Sequence, residues 1–402
     1  MENRRAIVVG GGIVGCVQAL LLARLGYRVM AVDASTPGVE SDRSCIEKNL
    51  AVRSVAMSYR SQQLLESAGL WASDISCAIN AVLVNDKGRF GSVRFDRNDY
   101  SLPALGYVVR NQQLEHHLSA LMNSEPQIEV IRPATAELLS VDNERATLAL
   151  HQANKDTRNE TVELLVAADG SRSKIRTQLG IDVDTRDYQQ CALVANLHCQ
   201  RDHQHVAFER FTDTGPLALL PLSERTVAMV CTLDADDAAE IHSYSDEQML
   251  ALLQQRVGGR LGKLLEIGKR AVLPLSLVRA HQQVQGCSVL VGNASITVHP
   301  VAGQGLNLAL RDVFELASQL TGDHSVSDAL ELFEKVRRRD QRFVVRQTDW
   351  LARVFRKQPF PLSVPLHVAR GASLLMLDAV PPLRNRFGRR NAGLDIPLNP
   401  VR

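Results

Sequence analysis

The chain has 402 residues, 45% of them hydrophobic, which suits roughly two to three domains with sizeable cores. Its 46 basic and 44 acidic side chains leave a formal charge of only +2, which excludes the whole-chain positive field of a nucleic-acid binder. Seven scattered cysteines, none in a C-x-x-C pair, argue against a disulfide framework or a zinc site and read as reduced packing residues.

Arg5 to Val9 (RAIVV) reads as a buried strand running into Gly10, Gly11, Gly12, Ile13, Val14 and Gly15. A helix follows with Val17, Leu21 and Leu25 on its apolar face, and Gly26 closes it. A second strand, Arg28 to Val32, ends at Asp33, eighteen residues after Gly15. Gly10 serves the turn, Gly12 the close approach of a pyrophosphate, Gly15 helix packing and Asp33 a ribose hydroxyl, so the dinucleotide fingerprint stands in its required context. A glycine turn this close to Met1 leaves no room for a signal peptide. Arg24 and Arg28 interrupt the most apolar stretch before it reaches the roughly eighteen residues of a membrane span. A cytoplasmic protein is expected.

Arg53 to Leu70 reads as a helix with Leu64, Leu65 and Ala68 inward, and Ala81 to Val84 with Gly91 to Phe95 as hairpin strands. Asn111 to Met122 is helical in period, with Asn111 as N-cap. Strands are expected at Ile128 to Ile131, Ala146 to Leu150 and Val162 to Ala168, the last running into Asp169-Gly170 and a short helix from Ser173 to Gly180. From Cys191 to Pro274 the period is mainly two, with one helix from Ser245 to Val257, which predicts a mostly antiparallel sheet forming one wall of a pocket. Ser288 to Val291 is a short strand stopped by Gly292; His299 and Pro300 follow in a loop, and Gly303 and Gly305 open a helix. The N-terminus of such a helix favours an electron-rich guest. A long helical region spans Val326 to Phe355, and its Arg337, Arg338 and Arg339 read as a solvated face. From Leu351 to Arg402 nine basic residues face two acidic ones, +7 for the tail and −5 for the remainder.

Gly10-x-Gly12-x-x-Gly15 with Asp33, Asp169-Gly170, and Gly292-Asn293 followed by His299-Pro300 and Gly303-Gln304-Gly305 together resemble the FAD-dependent aromatic hydroxylases, the single-component flavoprotein monooxygenases. FERFTDTGPLALLPLS (Phe208 to Ser223) and RLGKLLEIGKRAVLPL (Arg260 to Leu275) are most similar to the ubiquinone-pathway 2-polyprenyl-6-methoxyphenol hydroxylases. The resemblance covers about Ala6 to Trp350. It implies an α/β (mixed α+β) fold: a Rossmann-like FAD-binding domain from 1–75, 108–182 and 284–345, an interleaved, mainly antiparallel substrate domain from 76–107 and 183–283, and a helical, basic C-terminal segment, 346–402.

By the same resemblance Gly10, Gly12 and Gly15 hold the FAD pyrophosphate, Asp33 the adenosine ribose, and Arg53 approaches the cofactor. Asp169 and Gly170 match the DG motif, associated with the diphosphate and with nicotinamide coenzyme use. Gly292 and Asn293 fall where the wider family has Gly-Asp, whose carboxylate holds a flavin hydroxyl; Asn293 keeps an acceptor and loses the charge. Pro300, Gly303, Gln304, Gly305 and Asn307 form the flavin loop, whose helix N-terminus stabilises charge near N1 and C2=O of reduced flavin. The implied chemistry is reduction of FAD by NADPH or NADH, reaction with O2 to a flavin C4a-hydroperoxide, and attack by an electron-rich phenol ring. The implied partners are a polyprenylated phenol and O2, with a homo-oligomer or an assembly of ubiquinone-pathway proteins also compatible.

His299 is the candidate acid/base group of the loop, against a competing role in shaping the loop by hydrogen bonding. The apolar runs Phe360 to Leu366 and Leu374 to Leu377 with the basic excess suggest a peripheral membrane or partner contact through 351–402, against the alternative of a helical cap. A nicotinamide-linked dehydrogenase would carry the first fingerprint but have no use for the loop from Gly292 to Asn307. The W-x-W-x-I-P signature of flavin halogenases is absent, the only tryptophans being Trp71 and Trp350. A non-catalytic FAD- or prenylphenol-binding subunit is the third class.

Overall fold

Six short strands, most of them apolar, pair side by side in the order Val284–Gln285, Ser288–Leu290, Leu164–Ala167, Arg5–Val9, Arg28–Val32 and Ile128–Ile131. All neighbours are parallel except the first pair. These coordinates are a computed structural model that describes residues 4–35, 53–354 and 363–395, apart from 89, 154, 213 and 323. The expected strand from Val162 to Ala168 divides at Glu163: Leu164–Ala167 joins this sheet, and Arg158–Val162 joins Ala146–Gln152 and the unexpected Ala134–Val141 in an antiparallel meander on one face. Ile7, Val9, Leu165 and Ala167 pack there against Leu148, Leu150 and Ile175. The helix Ile13–Arg24 covers the other face and is buried on nearly every side, because Asn111–Ser124 and Gln304–Gln319 flank it. Its sequence is correspondingly apolar all round.

A second sheet of nine described strands runs from Ile296–Thr297 through Ala271–Ala280, Val183–Cys199, Thr226–Asp234, Gly215–Ser223, Val206–Thr212 and Ala81–Asp86 to Ser92–Asp96, with Leu264–Ile267 also on Val183–Cys199. Only Val206–Thr212 against Ala81–Asp86 is parallel. The two-residue period separates its faces: Leu193, Leu197, Leu217, Leu219, Met229 and Cys231 pack under the helix Asp246–Val257, and the alternate residues face a cavity. Ser245 caps that helix in a reciprocal capping box with Gln248. A second helix, Ala235–His242, was not expected.

The helix expected from Arg53 starts only at Tyr59. Ser54–Ser58 is instead a strand along Gly106–Arg110, whose ladder bonds outweigh the helical spacing of the residues that follow. Ser58 then caps Tyr59–Ser67, accepting from Ser61 N at 3.2 Å. Asn111 is not an N-cap: it is the first helical residue after Arg110, and its N–H donates to Arg53 O at 2.9 Å. Cys16, Cys199, Cys231 and Cys287 are free and buried, Cys77 and Cys191 free and partly buried; Cys45 lies outside the described residues, as does the stretch from Phe360 to Leu362.

Arg337 overturns the solvated reading of its run. Arg338 and Arg339 are exposed, but Arg337 is buried, with Nε on Asp312 Oδ1 and Nη2 on Asp340 Oδ2, both at 2.6 Å. Gln341 donates to Asp312 Oδ2 at 3.0 Å, and Arg311 Nε lies 3.1 Å from Asp340 Oδ2. These contacts clamp Val326–Val354 to Gln304–Gln319, the helix that begins at the glycine loop. Breaking a buried pair from one side leaves an uncompensated charge, so Asp312→Ala is expected to lower the unfolding free energy in urea by about 3–5 kcal/mol. Glu129→Gln, which opens the exposed Arg158–Glu129 pair, is expected to cost no more than about 1 kcal/mol.

Candidate active site

The parallel register brings the separated motifs together. Val9 lies beside Val32 and Ala167, and Ala167 beside Leu290, so Gly10 to Gly12, Asp33, Asp169-Gly170 and Gly292-Asn293 all leave the sheet at its carboxyl edge, where open α/β sheets take ligands. Gly10 has φ +116°, and a Cβ there would meet Ala168 O at 2.3 Å; one on Gly15 would fall 1.9 Å from Gly10 O. Those two glycines are required by packing within the chain. A Cβ on Gly12 would meet nothing within 4 Å, although Gly12 lines the cavity and caps Ile13–Arg24 with no side-chain hydrogen bond and no acidic residue in the first turn. Space, unclaimed N–H groups and the positive end of the dipole coincide there.

Asp33 stands next to Gly11, where a Cβ would lie 2.4 Å from its Oδ2, and accepts from Ser35 N and Oγ. Asp169 Oδ2 accepts from Lys174 N at 2.9 Å and Ile175 N at 3.3 Å, while Oδ1 is buried without a partner among the described residues. The short helix Lys174–Gln178 is capped twice, since Ser173 Oγ accepts from Arg176 N at 3.0 Å. Arg176, which no sequence pattern singled out, is buried and donates to Ala294 O at 2.8 Å and Ser171 O at 3.0 Å. It ties the Asp169-Gly170 turn to the one at Gly292–Ala294. Gly292 has φ +61°, and Asn293 is exposed at the cavity.

Gly303, at φ +59°, caps Gln304–Gln319. The Asn307 side chain makes four bonds within the protein: Oδ1 accepts from Ser58 N at 2.8 Å and Ser61 Oγ at 2.7 Å, and Nδ2 donates to Ala56 O at 3.1 Å and Gly303 O at 2.7 Å. It therefore fixes the loop to the strand Ser54–Ser58 instead of reaching toward a ligand. Val298 and Pro300 line the cavity, but the ring of His299 is fully buried and edge-on to Tyr188 at 5.1 Å. Its Nδ1 accepts from Val301 N at 3.2 Å, Nε2 has no partner among the described residues, and burial lowers its pKa to about 4.

One cavity of about 1350 Å³ touches Gly12, Arg53, Gly170, Gly303 and Gly305 on one side and the large sheet on the other. It exceeds the ~300–1,000 Å³ of a drug-sized site and has room for a dinucleotide with a second ligand. The C-terminal helices Ser363–Ala379 and Pro381–Asn391 add Leu374, Leu377 and Phe387 to its rim. The residues present fit FAD: open backbone at Gly12, a helix terminus without side-chain caps, and a second glycine-led helix at Gly303.

Residues 4–348 match the family described as FAD binding domain. A ubiquinone hydroxylase, UbiL, of Rhodospirillum rubrum is 30% identical over 397 residues, covering 96% of this chain and 89% of the relative. The 3-demethoxyubiquinol 3-hydroxylase of Escherichia coli is 29% identical over 83% of this chain and 84% of its own length. In fold, the chain superposes on p-nitrophenol 4-monooxygenase of Pseudomonas putida with a TM-score of 0.77 at 16% identity, covering 98% and 99% of the two chains. With the family match spanning most of its length, the chain belongs to the FAD binding domain family and is an FAD-dependent monooxygenase.

Proposed function

We propose that this chain hydroxylates the ring of a polyprenylated phenol in ubiquinone synthesis. The reading rests on one observation above the rest: a single cavity joins the carboxyl edge of the nucleotide sheet to an apolar sheet face. Bound FAD supplies the redox chemistry with O2 and NAD(P)H. The chain binds and orients. Gly10, Gly12 and Gly15 would admit the pyrophosphate, Asp33 the ribose, Arg53 and the Asp169-Gly170 turn the middle of the cofactor, and Gly292 with Asn293 a flavin hydroxyl. The N–H groups at Gly303 to Gly305 would face the electron-rich edge of the flavin, and the sheet would exclude water from the phenol. The relatives in ubiquinone synthesis support the substrate class. The division into FAD-binding, sheet and C-terminal domains belongs to the same reading.

His299 shapes the loop in this account, because a neutral, fully buried imidazole that accepts from Val301 N is placed to hold backbone. The C-terminal helices form the membrane-facing side. Leu375, Met376, Leu383 and Phe387 are exposed there beside Arg386, Arg389 and Arg390, an arrangement suited to an anionic lipid surface. None of the described helices is long and apolar enough to cross a membrane.

Purified protein loaded with FAD should oxidise NAD(P)H and add one oxygen to a prenylated methoxyphenol; a colourless protein that cannot be reconstituted with FAD overturns the reading. Gly12→Val has room in the fold but occupies the pyrophosphate space, so the variant should match the apo wild type in melting temperature and circular dichroism while retaining no flavin. His299→Gln should keep flavin reduction and hydroxylation while modestly weakening flavin affinity or coupling; normal reduction with complete loss of hydroxylation would assign His299 to catalysis. Its pKa is depressed from 6.5 to about 4, so the unfolded state binds the extra proton and stability falls as pH drops from 6.5 toward 4. That loss reaches about 3 kcal/mol and should diminish in His299→Gln, read by urea unfolding across that range. Flotation with anionic vesicles should fall at high salt and with Leu375→Glu/Met376→Glu; salt-independent flotation equal in both proteins would refute the membrane contact.

A further inference from the structure

Among the described residues the cavity lining contains a single acidic side chain, Glu209. On the strand Val206–Thr212 it lies in register with Val84 on one neighbour and Ala218 on the other. The row continues through Val230, Val194 and Ala271, and every member lines the cavity. Glu209 makes no hydrogen bond or ion pair with any described residue, and burial alone pushes its pKa up to about 7.

The surrounding charges are directed elsewhere. Arg210, on the opposite face, donates to Val257 O at 2.5 Å, and Asp86 acts on Arg210. Arg270 is held by Tyr244 O at 2.7 Å and Asp246 at 3.1 Å, while Lys269 is exposed and Arg53 lies on the nucleotide side. Among the described residues the C-terminal helices contribute Ser373, Leu374, Leu377, Phe387, Gly388 and Asn391 and no charge. Glu209 is half-buried in an apolar wall, and a carboxyl so placed without a protein partner marks a site where a ligand can supply the missing one.

The position suits a phenol. Ala207 and Ala228 share a cluster with Ala56, whose carbonyl accepts from Asn307 at the glycine loop. Glu209 is two residues, about 7 Å, further along the strand, a span that a phenol ring with its hydroxyl bridges. Resting on the hydroxylase reading above, we infer that Glu209 is a catalytic residue whose carboxylate accepts the hydrogen bond of the substrate's phenolic O–H and takes its proton during oxygen transfer. The O–H bond breaks, its proton forms a new O–H bond on Glu209, and the electron pair left on oxygen becomes the ring C=O. A ring π pair forms the C–O bond to the atom drawn from O2 with the two electrons of NAD(P)H, and the second oxygen atom leaves as water. Loss of the ring proton restores aromaticity, and the ring oxygen recovers the proton from Glu209. The same carboxylate repels a carboxylated ring, so the site takes neutral phenols.

The test uses the FAD-loaded full chain with 2-methoxyphenol and its O–H-free analogue 1,2-dimethoxybenzene, binding being read from the flavin spectrum. With Glu209 titrating near pH 7, 2-methoxyphenol should bind about tenfold tighter at pH 8 than at pH 6, and the diether equally at both. Glu209→Gln should retain FAD and flavin reduction by NAD(P)H, lose the pH dependence of phenol binding, and lose the limb near pH 7 in kcat/KM for a prenylated methoxyphenol. Phenol binding that is flat with pH in the wild type, or unchanged pH dependence in Glu209→Gln, overturns the assignment. Wild-type protein that shows the tenfold effect yet never hydroxylates a prenylated phenol supports Glu209 as the phenol's acceptor and refutes the proposed substrate.

Discussion

The register of the parallel strands is the constraint on which the rest of the molecule depends. Val9, Val32, Ala167 and Leu290 stand level, so turns from distant parts of the chain emerge at one edge. A slip of one residue would move alternate side chains to the wrong face of both packed layers. It would also separate Gly10 from Ala168, whose carbonyl sits where a Cβ on Gly10 would be. The buried helix Ile13–Arg24 and the meander on the opposite face hold that register from both sides. Arg176 and Asn307 carry the same order outward, one joining two turns of the edge and the other joining the glycine loop to Ser54–Ser58.

The two walls of the cavity have opposite electrical character. The nucleotide side presents backbone N–H groups and helix termini, which favour negative charge, with the Arg53 side chain beside them. The sheet side presents mainly apolar side chains, interrupted among the described residues by Asn196, Glu209, Thr232, Lys269 and Arg270. A polar dinucleotide and an apolar ring are therefore sorted to different walls of one space. The buried, neutral His299 belongs to neither wall; it supports the backbone between them.

Much of this was legible in the residues, and the exceptions have physical causes. The fingerprint from Gly10 to Asp33 and the short-period strands from Ala192 to Thr232 are local signals, and the elements they predict formed. Ser54–Ser58 was hidden because its partner Gly106–Arg110 lies some fifty residues away, beyond any local window. Arg337 looked solvated because its neighbours are charged, and only the tertiary position of Asp312 shows it to be buried. Asn307 could be placed near the loop, but which atoms its amide would bind depends on Ser58 and Ser61, 249 and 246 positions earlier. Arg176 belongs to no motif. Glu209 sat within a quoted stretch, and its setting emerged only when five neighbouring strands were aligned.

The strand order also imposes a timetable on synthesis. Leu164–Ala167 finds one neighbour in Arg5–Val9 early, but its other neighbour, Ser288–Leu290, is made only after the whole of the large sheet's central strands, Val183–Cys199 to Ala271–Ala280. Through that interval a fully apolar strand keeps an unpaired edge, the feature on which misassociation and chaperone capture act. The nucleotide-binding half of this chain, although it is first off the ribosome, is among the last parts of the molecule to be finished.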